Sequence, residues 1–424
     1  MDLFDDLRWR GLAYQWTGDD ALPARLLKDP ITLYLGIDPS ASSLHIGHLV
    51  GLMTLRRFQR VGHRPIAVAG GGTGMIGDPS GKSDERNLLS EDELAHNVEA
   101  IRAQIGRFLD FSGGKRGALL LNNTDWLGRL GYIEFLRDVG KHFSINAMLA
   151  KESVRGRLAS EAGISYTEFS YMLLQAYDFV HLFDTVGCEL QVGGSDQFGN
   201  ISAGVDLGRR MRGVQFFGLT WPLVTRSDGA KMGKTAEGAV WLDPARTTPY
   251  AFYQWFIQVP DADAVHFLKI YTDLPRERIE ELEGLVEKEP QKREAQRTLA
   301  GELTLLVHGP EGVRAAERAS GALFGGDLEG LGEGELLEIF TDVPSKELPR
   351  ARLESLTAGD ALIEGGLAKS KSEARRLIEG GGASVGNRRI SDADERLGSD
   401  DLASGSIMVL RAGKNRFALL RFRP

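Results

Sequence analysis

The sequence holds a single cysteine, Cys188, so an internal disulfide is excluded. Such sparing use of cysteine suits a reducing cytoplasm. No apolar run approaches the roughly 20 residues that cross a bilayer, so no membrane role is expected. The opening Met-Asp-Leu-Phe-Asp-Asp is acidic and lacks the cationic start and apolar stretch of a signal peptide. Positive charge is also in short supply: 51 Lys and Arg against 59 Asp and Glu leave a net −8. That balance argues against a nucleic-acid partner until it is divided along the chain. Residues 358–424 carry 12 Lys and Arg against 9 Asp and Glu, a net +3, which leaves −11 for the rest. The tail is therefore the better RNA surface. No carboxylate cluster spaced to cage a metal is visible, so no resident metal is expected.

What the chain does have is length and ordinary globular composition. With 424 residues, 42% hydrophobic and 26% charged, it is long enough for two or three domains. Residues 31–37 alternate bulky apolar side chains with small or polar ones and stop at Asp38-Pro39-Ser40, which predicts a buried strand ending in a turn. A helix is expected next, capped by Ser42 or Ser43, with Leu49, Leu52, Met53 and Leu55 at helical spacing. Its first turn carries His45, Gly47 and His48. Two imidazoles three apart beside unpaired backbone N–H groups suit a polyphosphate, and Gly47 leaves room for a flat ring against the backbone.

The same alternation of strand, glycine-bearing loop and helix recurs downstream. Residues 65–69 read as a second strand that runs into Gly70-Gly-Gly-Thr-Gly-Met-Ile-Gly77-Asp78-Pro79. Gly72, Gly74 and Gly77 satisfy GxGxxG, yet the segment runs on as loop where a dinucleotide fold would open a helix. A Walker motif ending at Lys82-Ser83 would need glycine at 76, where Ile76 stands. The glycines instead let backbone approach a ligand and present Asp78 at the strand's carboxyl end. Residues 118–121 read as a third strand. A helix over 167–178 puts Tyr171, Gln175 and Asp178 on one face, and 190–197 reads as a further strand with its exit loop, followed by a helix from 200 to 210. The fold class expected is α/β: a doubly wound, parallel, Rossmann-like sheet through about residue 220, then helices, then a small α+β piece. Residues 2–28 are expected to form amphipathic helices ahead of it.

A second signature lies far from the histidines: Lys231-Met-Gly-Lys-Thr235. With His45-Ile-Gly-His48 after a strand, it resembles the paired HIGH and KMSKS motifs of the class I aminoacyl-tRNA synthetases, and within them the bacterial tyrosyl branch. Gly233 and Thr235 depart from the KMSKS consensus, while both lysines remain. The resemblance extends through a C-terminal segment similar to a small ribosomal-protein-type RNA-binding module, and so covers nearly the whole chain.

That resemblance implies a catalytic domain over 1–225 with a dimer-forming insertion at about 122–160, a lysine loop and linker over 226–247, and an α-helical domain for the tRNA anticodon region over 248–330. A linker over 331–357 and an RNA-binding domain over 358–424 complete it. It implies that ATP, accompanied by Mg2+, and L-tyrosine form an adenylate and that tRNA(Tyr) accepts the tyrosyl group, in a cytoplasmic homodimer. Phosphate chemistry would fall to His45, His48, Lys231, Lys234 and Thr235, with Lys82 and Arg86 as further contacts. Tyrosine would be held by Tyr34 and Asp178 at its hydroxyl and by Asp78, Tyr171 and Gln175 at its ammonium, with Gln191 and Gln197 completing the lining. Gly36, Asp38, Gly47, Gly194 and Asp196 would face the adenylate. A tryptophanyl enzyme, a cofactor-synthesis nucleotidyltransferase and a non-catalytic RNA-binding relative are the alternatives. A buried acceptor for a hydroxyl, the tail and the complete His and Lys sets count against them in turn.

Overall fold

The structure, a computed structural model, describes all residues except 1, 81–88, 160–162, 226, 228–233, 236–237, 323–327, 329–330, 342, 414–415 and 424. It divides into two units, Met1–Thr247 with Val259–Val307, and Thr248–Gln258 with His308–Pro424.

The first unit is built on a six-stranded sheet of β1 (Gln15–Trp16), β2 (Thr32–Ile37), β3 (Arg64–Ala69), β4 (Leu119–Asn122), β5 (Cys188–Gly194) and β6 (Phe217–Trp221), in the order β1-β6-β5-β2-β3-β4. β2 through β6 run parallel, and only the edge strand β1 is antiparallel. Parallel neighbours require crossovers, supplied by α1 (Ile46–Arg60) and α2 (Glu91–Ile105) on the way out to β4, α3 (Tyr166–Val186) on the return, and α4 (Phe198–Arg212) between β5 and β6. β3 is buried from Pro65 to Ala69, as a strand covered on both faces must be. The chain leaves β2 toward β3 and β4, then returns to lay β5 on the other side of β2. That reversal opens a crevice at the carboxyl ends of β2 and β5.

Local chemistry sets the helix ends. Ser90 and Glu93 reciprocally cap α2, the Ser90 hydroxyl accepting from the Glu93 N–H at 3.3 Å and the Glu93 carboxylate accepting from the Ser90 N–H at 3.0 Å. Gly187 ends α3 at φ +68°, a backbone state in which a side chain is strained. The expected serine cap of α1 is not what forms. Ser43 is buried and its hydroxyl donates to the Leu44 carbonyl, while His45 itself is the cap residue, one position before the helix. The glycines after β3 also differ from the expected open loop: Gly71–Gly74 make a short helical turn before the chain runs on to Asp78. Between the expected N-terminal helices Leu3–Trp9 and Ala21–Lys28 lies β1, which two residues are too short to announce by alternation.

The expected domain limits shift as well. Helices Asp261–Tyr271 and Arg276–Lys288 belong to the first unit and do not share a separate domain with residues 248–258. Two buried arginines explain the attachment. Arg10 donates to the carbonyls of Lys269, Thr272 and Leu274 at 2.9, 3.2 and 2.9 Å, and Arg57 to those of Ile270 and Thr272 at 3.0 and 2.6 Å. The last carbonyls of helix Asp261–Tyr271 lack intrahelical partners, so two guanidinium groups there satisfy them and complement the helix dipole. The unit boundary near 307 falls where Gly309 (φ 72°, ψ −177°) and Pro310 interrupt helix Glu294–Ala322.

In the second unit, strands Arg388–Arg389, Ala383–Val385, Ile407–Ala412, Arg416–Arg423 and Ser345–Pro349 form a sheet in that order. Helices Ala358–Glu364 and Lys371–Glu379 bury Leu362, Ala374 and Ile378 with Leu410, Leu420 and Phe422. The expected linker at 331–357 is folded: Leu336 and Phe340 are core residues, and Ser345–Pro349 pairs in parallel with the final strand.

Candidate active site

A cavity of about 290 Å3 opens at the crevice between β2 and β5. Its walls include Tyr34, Gly36 and Asp38 from β2 and its exit, Gly47 and His48 from α1, and Asp78 from the glycine loop. Tyr171, Gln175 and Asp178 line it from α3, and Gln191, Gly194, Asp196 and Gln197 from β5 and the turn after it. Thirteen expected site residues, spread over more than 160 positions of sequence, thus share one space. His45 stands just outside it.

The base of the cavity is polar and buried. Tyr34 is 1% exposed, its ring edge-on to Phe179, and its hydroxyl has no partner among the described residues. Burial, and then the Asp178 charge, hold the Tyr34 phenol well above its ordinary range. Asp178 accepts from the Trp126 indole at 2.7 Å and from the Asn123 amide at 3.0 Å. Desolvation nonetheless dominates and pushes the carboxyl up to about 7. A buried hydroxyl without a partner beside a carboxyl near neutrality is a site for a ligand group that both donates and accepts, such as a phenol. Sequence reasoning missed Asn123 and Trp126. They lie past the third strand, in the stretch assigned to the insertion, and nothing in their spacing reports a contact with α3.

A second polar group lies nearer the mouth. Asp78 accepts from Gln197 at 2.7 Å, and the Asn200 amide reaches Gln175 at 3.0 Å and Asp78 at 3.4 Å. Tyr171 donates to Asp38 at 2.9 Å. These acceptors around one spot suit a cationic ammonium. A Cβ on Gly36 would meet nothing within 4 Å, so the backbone there faces open room for a flat or bulky group.

The histidines have a defined chemistry. His45 Nδ1 accepts from the Gly47 N–H at 3.0 Å, and His48 Nδ1 accepts from the His45 N–H at 3.2 Å. With both Nδ1 atoms accepting, the neutral rings carry their protons on Nε2 and offer those N–H groups outward. Desolvation, followed by His45, lowers His48 to about 3, so it acts as a neutral donor. Residues that follow the lysine segment, Val240 to Leu242, are joined to this helix start through backbone. The Ile46 N–H donates to the Val240 carbonyl at 3.1 Å, the Leu242 N–H to the Leu44 carbonyl at 2.8 Å, and His45 bridges Trp241. Lys82, Arg86 and Lys231 lie outside the described residues, as do the side chains of Lys234 and Thr235; the backbone of Lys234–Thr235 pairs with Gly238–Ala239.

A parallel sheet whose switch-point crevice joins a His-Ile-Gly-His helix start to a strand-exit acid cluster defines a class I aminoacyl-tRNA synthetase. The family model "tRNA synthetases class I (W and Y)" matches residues 26–325, and the model "Tyrosine--tRNA ligase SYY-like C-terminal domain" matches 335–420, so the chain belongs to this family. Among curated relatives, the tyrosine--tRNA ligase of Roseiflexus castenholzii is 55% identical over 421 residues, covering 99% of each chain. That of Geobacillus stearothermophilus is 49% identical over 428 residues, covering 100% of each. A solved C-terminally truncated mitochondrial tyrosyl-tRNA synthetase from Aspergillus nidulans superposes with a TM-score of 0.68 at 30% identity, covering 76% of this chain and 94% of that one. Within the family the chain is a tyrosine--tRNA ligase, and the tryptophanyl, nucleotidyltransferase and non-catalytic alternatives fall away.

Proposed function

We propose that the cavity forms tyrosyl-adenylate from L-tyrosine and ATP and passes the tyrosyl group to tRNA(Tyr), with the residue roles that follow. The supporting observation is the partnerless Tyr34 hydroxyl buried in the same cavity as Asp178. Tyr34 and Asp178 hold the substrate's phenol; Asp78, Tyr171 and Gln175 hold its ammonium, with Gln191 and Gln197 closing the wall. The substrate carboxylate then points to the cavity mouth. There it attacks the α-phosphorus of ATP, an O–P bond forms, and pyrophosphate leaves with the electrons of the broken bond. The attacker is already anionic, so the protein supplies alignment and donors and no general base. The Nε2–H groups of His45 and His48 donate to the transferring phosphate, and Lys231, Lys234, Thr235, Lys82 and Arg86 complete the set of donors. Gly36, Asp38, Gly47, Gly194 and Asp196 receive the nucleoside.

Among the described residues no group of three His, Cys, Asp or Glu side chains is placed to hold a metal. Mg2+ comes with the ATP phosphates, where it neutralises their charge. The second unit supplies the RNA surface. Arg376 on helix Lys371–Glu379 is exposed, and Arg389 lies against Gly381 beside the end of that helix. Tyr132, Ile133 and Ile145 are 62, 75 and 59% exposed on the insertion, and Tyr166 at the start of α3 is 63% exposed, an apolar surface that a second copy of the chain would cover. Among the described residues no helix is long and apolar enough to cross a membrane.

Pyrophosphate exchange into ATP tests the central step. Tyrosine should support it, while phenylalanine and tryptophan should not at matched concentrations. Exchange with tryptophan in place of tyrosine would overturn the assignment of Tyr34 and Asp178.

A further inference from the structure

The two ends of the amino-acid site are joined by an unbroken line of side-chain hydrogen bonds. Trp126 Nε1 donates to Asp178 Oδ1 at 2.7 Å, and Asn123 Nδ2 donates to Asp178 Oδ2 at 3.0 Å. The same Asn123 Nδ2 donates to Thr73 Oγ1 at 3.0 Å, Thr73 Oγ1 donates to Asp38 Oδ1 at 2.9 Å, and Tyr171 donates to Asp38 Oδ2 at 2.9 Å. The directions are fixed. Asn123 Oδ1 accepts from the Gly72 N–H at 2.7 Å, so its amide cannot be turned over without losing three bonds. Asp38 accepts only, so the Thr73 proton must point toward it, which leaves the Thr73 lone pairs for Asn123. Thr73 and Asn123 are 3% and 1% exposed, so water cannot replace either bond. Gly70 clears the path: a Cβ there would lie 2.1 Å from Asp38 Oδ1 and 2.5 Å from Thr73 Oγ1.

We infer that Thr73 is a positioning residue through which recognition of the substrate's hydroxyl at Asp178 sets Asp38 and Tyr171 at the reacting end. The inference rests on the phenol assignment made above. When a phenol donates to Asp178, the carboxylate shares its negative charge with three donors, and Asn123 is held where it also meets Thr73. Phenylalanine leaves Asp178 with two donors, and the amide is drawn toward the carboxylate and away from Thr73. Hydrogen bonds in such a buried chain polarise one another, so a weaker Asn123–Thr73 bond weakens Thr73–Asp38 in turn. Consistent with one electrostatic unit, the Asp38 charge helps raise Asp178, and the Asp178 charge helps raise Tyr171, in each case behind burial. A substrate lacking the hydroxyl is thus penalised in the activation step as well as in binding.

Thr73→Val keeps the shape and deletes the hydroxyl; Thr73→Ser keeps the hydroxyl. Single-turnover adenylate formation with tyrosine and with phenylalanine separates binding from the chemical step. Thr73→Val should slow the step about tenfold for tyrosine, leave it nearly unchanged for phenylalanine, and hardly alter the KM for ATP, while Thr73→Ser behaves as wild type. Equal slowing with both amino acids, no slowing at all, or equal loss in Thr73→Ser would overturn the coupling. Asp178→Asn in parallel reads the phenol assignment separately. If it retains the wild-type preference for tyrosine, that assignment has failed; if it loses the preference and Thr73→Val does not, only the coupling has.

Discussion

Trp126 Nε1 lies 2.7 Å from Asp178 Oδ1, and this indole hydrogen bond helps keep a fully buried carboxyl usable as an acceptor. Replacing Trp126 by Phe removes the donor and keeps most of the apolar bulk, including the stacking partner of His181. Asp178 would then rise further, and the KM for tyrosine should increase about tenfold, since a hydrogen bond to a charged group contributes about 1.5–3 kcal/mol. The KM for ATP should stay within twofold. An unchanged tyrosine KM would mean that Asn123 alone suffices.

The pH dependence follows from the same carboxyl. Asp178 is raised from 3.8 to about 7, chiefly by desolvation. A raised acid favours the folded state below its unfolded value, and that contribution is lost as pH rises through the folded one. Ionised Asp178 is therefore a cost to stability that substrate binding offsets. If the ionised form is the one that accepts the phenol proton, the KM for tyrosine should increase about tenfold as pH falls from 8 to 6, by the fraction ionised around a value near 7. Asp178→Asn should flatten that profile. A profile in Asp178→Asn parallel to wild type would assign the titration elsewhere.

His45 has two jobs at one helix end. Its Nδ1 caps the Gly47 N–H, which leaves Nε2 to carry the proton of the neutral ring. His45→Ala should cost about 1 kcal/mol of stability through the lost cap. Stopped-flow adenylate formation should show a lower rate constant with the dissociation constant for tyrosine unchanged, because the donor acts on charge that develops in the transition state. A change in tyrosine affinity with the rate intact would move His45 to the amino-acid site.

Ile133 is 75% exposed, and a charge at its position would be harmless on a solvated face. Ile133→Glu should instead shift the mass seen by sedimentation from two chains toward one. A single-chain mass for the unaltered protein would remove the proposed partner surface altogether.

Much of the site was legible because its residues sit at strand exits and helix starts, where periodicity and turn chemistry are strong. The strand through Tyr34, the i, i+4, i+7 face of Tyr171, Gln175 and Asp178, and Asp78 at a strand's carboxyl end all follow from spacing. Asn123, Trp126 and Thr73 did not announce themselves, since each acts by a contact across 35 to 55 positions that no local pattern encodes. The cap of α1 was misplaced for a related reason. Histidine is a rare cap, and Ser43 was already committed to Leu44 and Gln104.

Arg10 precedes residue 26, where the match to the synthetase family model begins, yet it donates to three carbonyls beyond position 268. A chain trimmed at its front to that match would keep every residue lining the cavity and still strip one of the two cationic bolts from the end of helix Asp261–Tyr271. Arg57 would be left to satisfy the helix-end carbonyls, with Arg56 and Arg60 paired to Asp273 just beyond. Fragments chosen by family boundaries would then melt earlier at their helical flank while the catalytic crevice itself looked complete.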